Sequence, residues 1–116
     1  MAVPSPRELL ERFEGESPEA LAAMLGFRVT RTEAAPLLPG ATVMSEYRPE
    51  RTIVLYLEPL RRAAEQRDQP FARVEQWHIA HELYHGLAEA DSRSAWRVRE
   101  TEADMWADEL LALLTL

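Results

Sequence analysis

All three histidines of the chain fall within eight residues, and two of them stand four apart in the run His81-Glu82-Leu83-Tyr84-His85. On a helix, residues four apart lie one turn above each other on the same face. Both imidazoles can therefore reach one ion at the zinc-nitrogen distance of about 2.0–2.1 Å. Glu82 projects about 100° round the helix from His81, beside the ion rather than on it. There a carboxylate can take a proton from the attacking water and later pass it to a leaving amine. This is the chemistry of metal-assisted hydrolysis, with His81 and His85 as metal ligands and Glu82 as general acid/base. The chain has no cysteine, which excludes a disulfide framework, Cys-ligated zinc and a thiol nucleophile, so any metal sits on His, Asp or Glu.

A catalytic zinc takes three protein ligands and keeps one position open. Three residues can supply the third. Glu102, 17 residues beyond His85, borders the apolar stripe of Ala103, Trp106 and Ala107 and is expected to face inward. Glu100 shares a polar row with Asp104 and Asp108, more simply read as a solvated face, and is the lesser alternative. Asp91 has the spacing of HExxHxxGxxD, but Ala88 occupies the glycine position, where a positive φ is costly. Glu102 is the preferred reading. His78 lies on the face of His81 and His85, about 60° from His81, and reads most simply as a histidine bonded to a carbonyl or carboxylate near the site. Tyr47, Tyr56, Tyr84 and Arg73 remain open as donors to an oxyanion, and Trp77, Trp96 and Trp106 read as packing residues.

These residues need a scaffold. The 116 residues suit one domain, residues 1–116, with 47% hydrophobic and 28% charged residues, a globular balance. Ser5-Pro6 and Ser17-Pro18 are helix starts, a capping serine followed by proline at the first helical position, and Gly15 and Gly26 are the stops. Alternation predicts a strand over 27–32, and a hairpin pairs 41–47 with 52–57 across the turn Arg48-Pro49-Glu50-Arg51. A short helix over 60–67 precedes a long central helix over 71–87 that carries the HExxH run, and a closing helix spans about 95–114. The fold class is α+β: N-terminal helices, a small three-stranded sheet, the central helix, and a C-terminal helix that supplies the third ligand.

The pair of motifs Ala80-His81-Glu82-Leu83-Tyr84-His85 and Glu100-Thr101-Glu102-Ala103-Asp104-Met105-Trp106-Ala107-Asp108-Glu109-Leu110-Leu111 resembles the ImmA/IrrE family of gluzincin-type zinc metallopeptidases. The likeness runs from about Ile53 to Leu111. It differs in Tyr84 where the family usually has glycine, Asp104 where Asn is common, and Trp106 at a Phe position. The resemblance implies a minimal zincin-like domain holding Zn2+ on His81, His85 and Glu102, with Glu82 as the catalytic residue of peptide-bond hydrolysis.

The expected partner is a peptide or protein substrate, added in extended form along the strand 52–57. A net charge of -7 argues against nucleic-acid binding by the chain itself. Without an apolar run of about 18 residues no membrane span is expected, and without a visible secretory signal the expected location is cytoplasmic. A catalytically silent metal-binding regulatory module of the same fold, acting with a separately encoded regulator, is the alternative, and a purely structural metal site is a third reading. Glu82 favours hydrolysis over both, since a structural site has no use for a carboxylate beside the ion.

Overall fold

The computed structural model describes residues 3–37, 42–88 and 96–115. Two short helices open the chain, α1 over Pro6–Arg12 and α2 over Pro18–Met24. Each begins as its serine predicts: Ser5 Oγ accepts the Glu8 N–H and Ser17 Oγ accepts the Ala20 N–H, both at 3.1 Å, satisfying donors that the first helical turn leaves free. Gly26, at φ +86°, turns the chain out of α2 into strand β1, Arg28–Thr32. The bend needs a left-handed residue, and glycine adopts that conformation without a Cβ clash.

Strands β2, Ser45–Arg48, and β3, Thr52–Tyr56, form the expected hairpin. β1 pairs in parallel on the other side of β3, giving the order β1-β3-β2. β3 is thus the central strand, and the expectation that 52–57 offers a free edge to substrate is corrected. The reason is visible in its side chains: Ile53, Val54, Leu55 and Tyr56 are all buried, the continuous apolar run of a strand covered on both faces rather than alternation. β2 is an edge strand. Its hairpin turn is pinned by Arg51, which donates to the Leu25 carbonyl at 2.8 Å and lies over the Phe27 ring.

Helix α3, Leu57–Arg67, packs against β3 and ends at Asp68 in the left-handed conformation. Helix α4 spans Phe71–Leu87 and helix α5 Trp96–Leu113. α4 is buried from Ile79 through Tyr84 without a break, so it runs through the middle of the molecule, touching the sheet, α2, α3 and α5. Leu21, Ile53, Leu55, Leu60, Ile79, Leu83, Leu110 and Leu111 form the fully buried centre. Gly86 marks a close approach: a Cβ there would lie 2.3 Å from Phe27 Cε1 and 2.8 Å from Tyr47 Cε1. Arg31 of β1 bridges Glu19 of α2 and Glu75 of α4, and Trp106 Nε1 donates to the Pro4 carbonyl at 2.9 Å, tying the N-terminal segment to α5. Among the described residues, no helix is long and apolar enough to cross a membrane.

Candidate metal centre

The polar side chains between α4 and α5 pair in a ladder of one-turn steps. Trp77 Nε1 donates to Asp108 at 2.8 Å, His81 Nδ1 lies 2.9 Å from Asp104, and His85 Nε2 lies 2.8 Å from Glu100. Each advance of four residues on α4 meets a retreat of four on α5, as antiparallel helices require. At the lower rungs three donor atoms converge. His81 Nε2 is 3.2 Å from His85 Nε2 and 3.2 Å from the second Glu100 oxygen. Atoms around an ion held tetrahedrally at about 2.0–2.1 Å stand roughly 3.3 Å apart; the two 3.2 Å separations match this, and the 2.8 Å between His85 Nε2 and the first Glu100 oxygen is shorter. His81, His85 and Glu100 are the group that could hold a metal ion.

The structure therefore groups Glu100, and not Glu102, with the histidines. The Glu102 carboxylate accepts from the Tyr84 hydroxyl at 2.5 Å, on the other side of the α4–α5 seam. Both acids border the buried stripe of α5, on opposite sides. Glu100 stands three residues before the buried Ala103, and Asp104 four residues beyond Glu100, which places both on the border facing the imidazoles. Glu102 stands four before Trp106, whose ring lies 6.1 Å from Tyr84. Asp91 lies outside the described residues. Asp104, read from the sequence as part of a solvated row, stands 2.9 Å from His81 Nδ1 but off the line of a hydrogen bond, a small ring rotation from the carboxylate-histidine contact that directs a ligating Nε2 toward its ion.

Trp77 stacks on His81, with ring centroids 5.3 Å apart and planes 27° apart, and so walls the site as well as packing. His85 is held below the ordinary imidazole range by burial and then by the charge of His81, keeping its lone pair free at neutral pH.

Glu82 points to the sheet side of α4. The residue is 6% exposed, and burial raises its pKa above the usual carboxylate range against the opposing hydrogen bond from Ser45. Ser45 Oγ, on β2, donates to Glu82 Oε2 at 2.7 Å and lies 2.9 Å from His78 Nδ1. His78 is thus bonded to a hydroxyl rather than to the expected carbonyl or carboxylate. Burial first, then His81 and Arg67, push its ring down to about 3, so it is neutral at physiological pH. Its Nε2 is buried with no partner among the described residues.

These groups line one open cleft of about 890 Å3, walled by residues 42–47 of the β2 region, by α4, and by Arg99, Glu100 and Asp104 of α5. Of the four oxyanion candidates, Tyr47 lies on this wall. Tyr56 donates to Glu46 and is not among the lining residues, Tyr84 bonds Glu102, and Arg73 is not among the lining residues. Ser45 and Arg99 carried no motif in the sequence. Comparisons of the chain with protein-family models, with curated proteins and with solved structures find no match in any of the three.

Proposed function

We propose that this protein is a zinc-dependent peptidase of the ImmA/IrrE type, in which His81, His85 and Glu100 hold the ion and Glu82 is the general acid/base. The observation that carries the reading is the division of labour among the acids. Glu100 stands with the imidazole nitrogens, whereas Glu82, one residue along from His81, turns to the same cleft and bonds only Ser45 among the described residues. When bound, the ion would supply Lewis-acid polarisation of the scissile carbonyl and acidify water. The chain's own groups do the rest. Glu82, its basicity increased by burial, removes the proton from water as the oxygen attacks the peptide carbon. It returns that proton to the departing nitrogen as the C–N bond breaks. The β2 edge, with residues 43–47 along the cleft, offers main-chain hydrogen bonds to an extended peptide. The ring of Trp77 stacks on one face of His81.

The test is digestion of an unfolded protein by the zinc-loaded chain and by its Glu82→Gln variant. The wild type is expected to cleave, and the variant to fall by roughly 10²–10⁴-fold at equal zinc content. A zinc-loaded wild type that cleaves nothing overturns the reading in favour of a silent metal-binding module. Equal rates remove Glu82 from its role.

A further inference from the structure

Ser45 Oγ has a single proton and two partners, Glu82 Oε2 at 2.7 Å and His78 Nδ1 at 2.9 Å. An ionised carboxylate only accepts, so in the base-competent form of Glu82 the serine proton is committed to Oε2. Ser45 Oγ can then face Nδ1 only as an acceptor, and His78 must carry its proton on Nδ1. The ring of His78, 7% exposed, has its other nitrogen without a partner among the described residues, as the bare nitrogen of that tautomer. Resting on the peptidase reading, we propose that Ser45 and His78 are positioning residues forming a one-way chain, His78 Nδ1–H to Ser45 Oγ–H to Glu82 Oε2, that fixes which carboxylate oxygen moves the proton.

The direction of the chain has a chemical consequence. His78 Nδ1–H cannot accept, so Ser45 cannot turn its proton away from Oε2 to receive one there. The water proton is therefore taken up on Oε1, as the water O–H bond breaks and the oxygen bonds the carbonyl carbon. The same Oε1–H bond breaks when the leaving nitrogen, keeping the C–N electron pair, takes the proton. Ser45 and His78 exchange no proton with substrate in this cycle. Their contribution is to hold the carboxylate plane while Oε1 works, and displacement of a catalytic group by about 1 Å is enough to cost on the order of 100-fold in rate.

Two readouts on the zinc-loaded full chain test this. Nitrogen NMR of the imidazoles reads the His78 tautomer without any turnover: Nδ1–H is expected, and Nε2–H overturns the chain whatever the activity. In peptide cleavage, Ser45→Ala is expected to lower kcat by roughly 10- to 100-fold with KM and zinc content unchanged, and Ser45→Thr, which keeps a hydroxyl, to stay within about threefold of wild type. An undiminished kcat in Ser45→Ala, or a Ser45→Thr variant as slow as Ser45→Ala, overturns the proposal. The Nδ1–H tautomer in a wild type that cleaves no peptide overturns the peptidase reading while the hydrogen-bond chain stands.

Discussion

At the scale of single residues, the two glutamates of α5 separate two versions of the site. Glu100→Ala removes one of three converging donors and is expected to weaken zinc by at least about 100-fold, beyond the 10–100-fold typical of losing an outer partner. Glu102→Ala removes only the acceptor of the Tyr84 hydroxyl and is expected to bind zinc as wild type does. Competition against a chromogenic chelator measures both, and the reverse ranking would restore Glu102 as the ligand. The pair also marks where the sequence stops being legible. His81, Glu82 and His85 lie on one helix, where spacing alone fixes their relative directions. The third donor comes from another helix. Its identity depends on how α5 is rotated about its axis, and the apolar stripe leaves two borders, with an acid on each. Glu100 reads as solvated until the imidazoles opposite it are in place. Ser45 was out of reach for a related reason: a lone serine on a short strand has no pattern, and its partners sit 33 and 37 residues away.

At the scale of elements, Gly86 decides how closely α4 lies against the sheet. In an isolated helix, alanine for glycine would gain about 1 kcal/mol. Here the added methyl would meet Phe27 and Tyr47 at 2.3 and 2.8 Å, and overpacking of this kind costs about 1–3 kcal/mol. Gly86→Ala is therefore expected to be destabilising by roughly 1–2 kcal/mol, read as a lower urea midpoint at unchanged slope. A midpoint equal to or above wild type would show that the rings yield freely. Helix limits were the most readable feature, because Ser-Pro starts, Gly26 and the long 71–87 pattern are written in local chemistry. The place of β3 was not, since the hairpin explains β2–β3 pairing but nothing local announces that β1, whose residues lie 24 positions before their partners, will pair with the other side of β3.

At the scale of the whole molecule, an ion at this site ties α4 to α5 while the apolar contacts of Leu83, Ala103, Leu110 and Leu111 hold them together without it. Chelation is therefore expected to leave a folded protein of lower Tm. Zinc at 100 times its Kd adds about 2.7 kcal/mol, roughly 10 °C or more for a domain of this size. Calorimetry with and without chelator checks this. An unchanged Tm denies any ion that bridges the two helices, and complete unfolding would instead mark a structural zinc. The one-turn ladder between those helices carries its own implication. Acids recur along α5 at Glu100, Asp104 and Asp108, one every four residues or about 6 Å of rise. Were α5 to slip by a single tooth against α4, Asp104 would come opposite His85 and Asp108 opposite His81. A carboxylate would still meet the histidines, so the detent that selects which one is set by the fit of Ala103, Trp106 and Ala107 into the neighbouring helix, not by the acids themselves.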